Sequence, residues 1–484
     1  APALRRRSVV GVHPQRHGCY VVVDACLGQR GHVRHGPTTR GLPRASDHGR
    51  EPASLHVPRH SVRPKPRRNA AVHGRFRAFC DEGHGHRCQD SESRMCPETV
   101  HGTRTGCLLS DVPCIPDDVG LGDQRAAMQW VLNHISSFGG NTSDVVLMGS
   151  GSGAWSVGAH LLKDGMGGPR FWTYERFAKV ILMSESPFRR YFDDKSHELP
   201  SLLNCSNGGT VEMLQCLRMV SARNIVRVTN DVVHYFGPSA SAHPSVKDAS
   251  RVTGRRFLLG TVSNEGTHLL DYLRRTSPLN ARLDHILPTF LQRIYHINNG
   301  TELIDAFRKA NAPDENVTES GTSWASELLG DMFYTCPLLR LGRELSMRER
   351  NLVFGYIFNH LPSFALFNDT TGSARFMDLD FIFGRPLDGS RAANVQEQEL
   401  SRRMIDMWAT FAKTGNLPFV NGQPWPRYTD DGKDVQVRIN LTHFDEVRDY
   451  RKNSCTVLPS LVDRRRPAGV DGDNVTGAYT RASI

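Results

Sequence analysis

Residues 145–157 read Val-Val-Leu-Met-Gly-Ser-Gly-Ser-Gly-Ala-Trp-Ser-Val, a stretch that indicates the fold class. The four leading apolar residues are typical of a buried strand, and the glycine-rich segment after them is typical of a tight turn. Residues 154–162 continue with a pattern that predicts a helix. A strand that passes through a tight turn directly into a helix is a building unit of α/β proteins.

Helix and strand patterns alternate on both sides of this unit. Residues 123–138 predict a helix, because their apolar side chains recur at helical spacing and Gly139 and Gly140 follow. Further strands are predicted over 179–184, 257–262 and 352–358, and a further helix over 404–413. This alternation predicts an α/β fold with a large, mostly parallel twisted sheet flanked by helices.

The net charge of +10 lies entirely near the N-terminus. Residues 1–100 contain 17 Arg and 1 Lys against 8 acidic residues, and the rest of the chain is balanced. A basic arm can bind nucleic acid or anionic lipid. After Tyr20 and its three following valines, however, this part lacks an apolar pattern that could bury a core. We interpret 1–104 as a basic Arg/His/Pro-rich segment, disordered or mistranslated, with a nucleic-acid arm as the third alternative, and expect no nucleic-acid partner.

Cysteines and sequons point to an oxidising compartment. The eleven cysteines lack the paired Cys-x-x-Cys spacing of zinc sites, so we expect no metal, and we expect no cofactor. Cys205 and Cys216 have a spacing that suits a small disulfide loop. No stretch approaches the roughly 18 consecutive apolar residues that span a bilayer, so we expect no transmembrane span. Seven N-x-S/T sequons favour a secreted, extracellular glycoprotein: Asn141, Asn204, Asn299, Asn316, Asn368, Asn440 and Asn474.

Several separated stretches resemble the type B carboxylesterase/cholinesterase family. They are residues 104–110, 120–130, 263–266, 381–387 and 401–416, in the order that the family has them. The resemblance covers about 105–462 and leaves 463–484 as a polar tail. It implies an α/β-hydrolase fold with a deep gorge and a Ser-Glu-His triad, and the capacity to form a homodimer through C-terminal helices. It also implies two disulfides, one between Cys205 and Cys216 and one between Cys336 and Cys455.

Two of the three triad positions carry an unsuitable side chain. Residues 149–153 resemble the G-x-S-x-G nucleophile elbow, but the middle residue is Gly151, which cannot attack a carbonyl. The catalytic histidine of the family falls on Arg375, which has no acceptor and cannot serve as a general base. Glu265 matches the acid. We expect Arg375 to pair with Glu265 in place of the acid–base hydrogen bond.

The oxyanion hole is also incomplete in the sequence. No His-Gly pair of the chain is followed by the second glycine of the family's His-Gly-Gly loop. The backbone N–H of Ser152 is therefore the one oxyanion donor that we expect. Ser150 and Ser152 flank the lost nucleophile, and His268 and His360 are the candidate bases for a displaced site. The alternative for both histidines is a packed or surface role.

The sequence therefore predicts a catalytically silent family member, neuroligin-like or acetylcholinesterase-like. Loss of the serine or histidine of a triad costs about 10⁶ in kcat. We expect the protein to act by binding an unknown protein or a small-molecule ligand. The alternative is a carboxylic ester hydrolase with displaced catalytic groups.

Overall fold

An eight-stranded sheet is the main element of the part of the chain that the structure describes. The computed structural model describes residues 19–22, 119–162, 177–189, 198–231, 246–249, 252–277, 282–295, 297–311, 323–365, 372–389, 392–430 and 432–462. Its strands are β1 (Cys19–Val22), β2 (Val145–Ser150), β3 (Lys179–Met183), β4 (Arg256–Val262), β5 (Leu352–Phe358), β6 (Thr429–Asp430), β7 (Lys433–Ile439) and β8 (Phe444–Arg448). Their spatial order is β1-β2-β3-β4-β5-β7-β6, and β8 pairs with β7. Neighbours from β1 to β5 and on to β7 are parallel, whereas β6 and β8 run antiparallel to β7.

Helices connect the strands and cover the sheet. They are α1 (Val119–His134), α2 (Ser152–Leu162), α3 (Leu199–Leu202), α4 (Thr210–Met219), α5 (Ala222–Asp231), α6 (Val246–Ala249), α7 (Thr267–Thr276), α8 (Leu283–Tyr295), α9 (Gly300–Asn311), α10 (Ser323–Gly330), α11 (Cys336–Ser346), α12 (Met377–Ile382), α13 (Val395–Thr414) and α14 (Lys452–Val462). Short 3₁₀ turns cover Ile135–Phe138 and Arg385–Leu387, and a π-helical turn covers Asp331–Thr335.

The sheet is buried on both faces. In β2, Val145 and Leu147 belong to one apolar cluster, while Val146 and Met148 belong to another. The second cluster includes Met404 and other side chains of α12 and α13. Successive strand residues point to opposite faces, so a strand that is apolar throughout must lie between two layers of helices. The predicted α/β architecture is therefore present.

The predicted elements occur with shifted ends. The strand over 352–358 is exact, and β2 is two residues longer than predicted. Helix α13 begins well before the predicted residue 404, at a capping box in which Asn394 and Glu397 exchange side-chain and backbone hydrogen bonds. Their spacing of three residues is typical of a helix start, and this signal was not used in predicting the helix. Strands β1 and β6–β8 and helices α3–α12 and α14 were not predicted.

One short strand lies inside the basic N-terminal segment. Residues 19–22 form β1, which pairs with β2 so that Cys19 lies opposite Val145. This strand contains Tyr20 and the first two of the three valines that follow it. The remainder of 1–104 and the tail 463–484 lie outside the described residues, so the predicted division of the chain stays a prediction. In the part of the chain that the structure describes, no helix combines the length and apolar character needed to cross a membrane.

Candidate functional site

The carboxyl ends of three adjacent strands bring the site together. Gly151 directly follows β2, Glu185 follows β3 by two residues, and Glu265 follows β4 by three. Arg375 lies at the same edge, because the backbone N–H of Asn264 donates to the carbonyl oxygen of Ser373, two residues before Arg375, at 2.9 Å. Parallel strands end at one edge of their sheet, which is where ligands and catalytic groups of α/β proteins gather.

The turn between β2 and α2 has the geometry of a nucleophile elbow. Gly151 has φ = +58°, a left-handed conformation that glycine adopts without strain. Its N–H donates to the carbonyl oxygen of Met183 at 2.9 Å, and its own carbonyl oxygen accepts the N–H of Trp155 at 3.0 Å, inside α2. A Cβ on Gly149 would collide with the backbone of Gly153. The glycines on either side therefore permit the close approach of strand and helix.

Gly151 faces Arg375 directly. A Cβ placed on Gly151 would lie 3.1 Å from Nη2 of Arg375 and 3.0 Å from Cε1 of Phe376. Nη1 of Arg375 lies 3.0 Å from Oε2 of Glu265, and the two side chains are 5% and 0% exposed. The expected ion pair is thus present. The three residues aligned with the triad meet in space, but their side chains form an ion pair beside a bare glycine.

A second carboxylate binds the same arginine. Nη2 of Arg375 lies 2.6 Å from Oε2 of Glu185, and Nη1 of Arg189 lies 2.7 Å from Oε1 of Glu185. We refer to Glu185, Arg189, Glu265 and Arg375 as the charge cluster. Its two carboxylates and two guanidiniums balance. Glu185 and Arg189 were not among the predicted site residues; the available signal was an acidic residue two positions beyond the apolar run Val-Ile-Leu-Met of β3.

Tyr334 fills the space between the two arginines. The Cζ atoms of Arg375 and Arg189 lie 3.8 Å and 4.5 Å from its ring centroid, which is cation–π distance. Tyr334 belongs to the π-helical turn Asp331–Thr335, and such turns are frequent at functional sites. The ring therefore supports both guanidiniums of the charge cluster.

Burial and pairing set the charges of this cluster. Burial raises the pKa of Glu265, and the opposing effects come from Arg375 and from hydrogen bonds of Val262, Ser184 and Thr261. Burial by itself lowers the pKa of Arg375, but Glu185, Tyr334 and Glu265 together raise it above the ordinary value. Arg375 therefore remains protonated and offers no lone pair to accept a proton.

The two candidate bases of a displaced site are already engaged. His268 Nδ1 lies 3.1 Å from the carbonyl oxygen of Glu265, and its Nε2 lies 3.0 Å from the Tyr334 hydroxyl. A carbonyl oxygen only accepts, so Nδ1 carries the proton and Nε2 accepts from Tyr334. His360 Nε2 lies 2.9 Å from Oε1 of Glu397, the residue that caps α13. Both contacts fit the packed role weighed for these histidines.

The two serines next to Gly151 differ in environment. Ser150 Oγ is buried and has no hydrogen-bond partner among the described residues. Ser152 is the first residue of α2, and its carbonyl oxygen accepts from Ser156 Oγ at 2.9 Å. The first N–H groups of a helix lack intrahelical partners, which suits Ser152 to the predicted role of oxyanion donor. Across the described ranges, no group of three or more His, Cys, Asp or Glu side chains is arranged to hold a metal ion.

We expect His268 to make the fold acid-labile. Burial, followed by Arg375 and Arg189, lowers its pKa to about 3. The unfolded pKa is about 6.5, so the unfolded state binds a proton first, and stability falls as pH decreases from about 6.5 towards 3. Between pH 6.5 and 5 the loss is about 2 kcal/mol. Urea unfolding should show this extra pH dependence in the wild type but not in His268→Gln.

The other buried titratable groups contribute equally to the pH dependence of wild type and of His268→Gln. Burial raises the pKa of Asp331 and of Asp378 to about 6, which favours the folded state on acidification, and burial lowers the pKa of His160 to about 3. Their contributions cancel in the difference between wild type and variant. Equal pH slopes for the two proteins would show that His268 is not responsible.

Comparison with known proteins identifies the family. The sequence model of the carboxylesterase family matches residues 107–458. The chain belongs to the carboxylesterase family. Acetylcholinesterase from Bungarus fasciatus is 30% identical over 388 residues, which cover 73% of this chain and 62% of that protein. Acetylcholinesterase from Electrophorus electricus is 27% identical over 413 residues, covering 72% and 64%, and acetylcholinesterase 4 from Caenorhabditis briggsae is 26% identical over 376 residues, covering 67% and 60%.

These matches confirm the predicted family and its α/β-hydrolase fold. The chain spans a little under two thirds of the length of these acetylcholinesterases. The roles that the family resemblance implies for Gly151, Ser152, Glu265 and Arg375 stay predictions.

Two disulfides connect parts of this carboxylesterase-family chain. Cys205 pairs with Cys216 eleven residues away, and Cys336 pairs with Cys455 at a separation of 119 residues. Both pairs are those that the family resemblance implies. The first connects Cys205, which follows α3, to α4, and the second joins α11 to α14.

Four of the seven sequons lie in the described ranges. Asn141 and Asn204 are exposed, and Asn299 and Asn440 are half-buried. The side-chain amide of Asn440 already donates to Asp445 at 2.6 Å. Asn316, Asn368 and Asn474 fall outside the described residues.

Proposed function

We propose that this protein is a cholinesterase-like glycoprotein that does not hydrolyse esters and acts by binding. One observation carries the proposal. Gly151 lies at the elbow opposite Arg375, and Arg375 is held by Glu265 and Glu185 at 3.0 and 2.6 Å. Acyl transfer needs a nucleophile and a base that accepts its proton. Gly151 has no side chain that could act as the nucleophile, and Arg375 cannot accept a proton.

The size of the loss supports this proposal. An ordinary turnover of about 10 s⁻¹ reduced about 10⁶-fold becomes about 10⁻⁵ s⁻¹. A displaced site would need Ser150 or Ser152 to share a hydrogen bond with a free histidine. His268 has both ring nitrogens engaged, and His360 is bound to Glu397.

We expect turnover of acetylthiocholine and p-nitrophenyl acetate to be no faster than about 10⁻⁵ s⁻¹. A serine-directed organophosphate should label neither Ser150 nor Ser152, because no base is placed to activate them. Peptide mass spectrometry after labelling measures this directly, with an active acetylcholinesterase treated in parallel. Stoichiometric labelling at either serine would favour the alternative of an ester hydrolase with displaced catalytic groups.

Side chains fill the space at the elbow, so we favour a protein partner over a small ligand bound at the elbow. An atom bound at the Cβ position of Gly151 would meet Arg375 and Phe376 at 3.0–3.1 Å. Binding would then use the outer surface of the protein. A choline-dependent rise in melting temperature would argue for a ligand in the gorge instead.

The extracellular location is part of the same proposal. Two disulfides and two exposed sequons, at Asn141 and Asn204, suit an oxidising secretory compartment. Homodimer formation through C-terminal helices remains a proposal on family grounds alone.

A further inference from the structure

An exposed aromatic surface lies on α1 and the 3₁₀ turn after it. Trp130 is 39% exposed and Phe138 is 57% exposed. The Trp130 ring centroid lies 5.0 Å from that of His134 and 6.1 Å from that of Phe138. We call Trp130, His134 and Phe138 the aromatic stripe. Its members are four residues apart, so they follow one face of the helical segment.

Exposed aromatic side chains that contact one another indicate a surface that binds another group. Scattered apolar side chains are normal on a protein surface, but contiguous ones mark binding sites. The neighbouring sequence offers an occupant, because the sequon Asn141-Thr142-Ser143 begins three residues after Phe138. Three residues span at most about 10 Å, so a group attached to Asn141 starts close to the stripe.

The conformation of Asn141 suits attachment of a glycan. Its Oδ1 accepts the backbone N–H of Ser143 at 2.9 Å, which leaves Nδ2 on an exposed residue. The N–H of Asp144 donates to the carbonyl oxygen of Asn141 at 3.1 Å, and the Asp144 carboxylate pairs with Lys179. The sequon is therefore held on a turn that is tied to the first residue of β3.

We propose that Asn141 carries an N-glycan whose first N-acetylglucosamine packs on the aromatic stripe. This inference rests on the proposed secretory location. In the transfer, Nδ2 of Asn141 bonds to C1 of the sugar and loses a proton, while C1 separates from the oxygen of its lipid pyrophosphate donor. The apolar C–H face of the pyranose then covers Phe138 and Trp130, since ring faces carry the negative side of the aromatic quadrupole.

Trp130 supplies a direct readout of this packing. The other described tryptophans, Trp155, Trp324, Trp408 and Trp425, are between 2% and 9% exposed. Acrylamide quenching of fluorescence therefore reports largely on Trp130 among them, and Trp130→Phe defines its share. The full chain secreted from eukaryotic cells should show Trp130 protected from acrylamide. Asn141→Gln should raise the acrylamide quenching, and Trp130→Phe should remove that increase.

Trimming of the glycan locates the protecting sugar. An endoglycosidase that leaves one N-acetylglucosamine on asparagine should preserve the protection, whereas the amidase that removes the whole glycan should abolish it. Phe138→Ala should weaken the protection while leaving Asn141 occupied. Asn204→Gln is the matched control, because it removes an exposed sequon elsewhere and should leave quenching unchanged.

Two results would overturn the inference. One is a secreted protein with Asn141 unoccupied by peptide mass spectrometry. The other is equal quenching of wild type and Asn141→Gln, which would show that the stripe is bare or that a second protein surface covers it. Neither result bears on the absence of ester hydrolysis, which the organophosphate experiment tests separately. Secretion without any occupied sequon would additionally count against the proposed glycoprotein.

Discussion

Replacing Arg375 by methionine is expected to destabilise the fold by about 3–5 kcal/mol. Methionine fills similar volume but leaves Glu265 buried without its guanidinium and removes one of the two cations bound to Glu185. Unpaired buried charge is among the costliest single changes to a protein. The free energy of unfolding from urea titration measures the effect.

Two further variants separate lost charge pairing from lost packing. Arg375→Met combined with Glu265→Gln should recover part of the stability, because the uncompensated carboxylate is gone. Arg402→Met removes an arginine 3.4 Å from Glu399, where the side chains are 54% and 61% exposed. That surface pair should change stability by less than about 1 kcal/mol. Equal urea midpoints for Arg375→Met and wild type would contradict the stabilising role of the charge cluster.

Removing the disulfide between Cys336 and Cys455 is expected to cost about 5 kcal/mol. The bond closes a loop of 119 residues, so it strongly restricts the unfolded chain. Both cysteines are buried, at 5% and 6% exposure, so alanine is the suitable replacement. Thermal and urea unfolding of the double alanine variant measure the loss.

The second disulfide provides the matched control. Replacing Cys205 and Cys216 by alanine opens a loop of eleven residues, for which the same relation gives about 3 kcal/mol. The chemistry of the two substitutions is identical, so the difference of about 2 kcal/mol reflects loop length. A larger loss from the shorter loop would show that native contacts, and not chain entropy, dominate.

The apolar pattern of the sequence predicted the central strands of the sheet. Strand β5 was predicted exactly, and β2, β3 and β4 were predicted within two residues, because strands buried on both faces are apolar throughout. Strand β7 was missed, since buried polar residues such as Gln436 and Asp434 interrupt its apolar pattern.

The candidate site likewise has some parts that the sequence predicted and others that it did not. Gly151 and Arg375 could be assigned from motif positions, and the pairing of Arg375 with Glu265 followed from charge. The contact between Arg375 and Glu185 joins residues 190 apart in sequence, and no spacing rule predicts it. The hydrogen-bond partner of His268 Nε2 is likewise distant in sequence, since Tyr334 is 66 residues away.

From its amino-acid sequence alone, this carboxylesterase-family chain was expected to have a strand, a turn and a helix around Gly151, with no hydroxyl there and no base at Arg375. Those properties belong to single residues and to local periodicity. What surrounds that position depends on how distant segments of the chain pack together. Strand pairing brings the ends of β2, β3 and β4 together, and burial there requires every charge to find a partner. The outcome is the charge cluster, in which Glu185 and Arg189 join Glu265 and Arg375 beside the glycine.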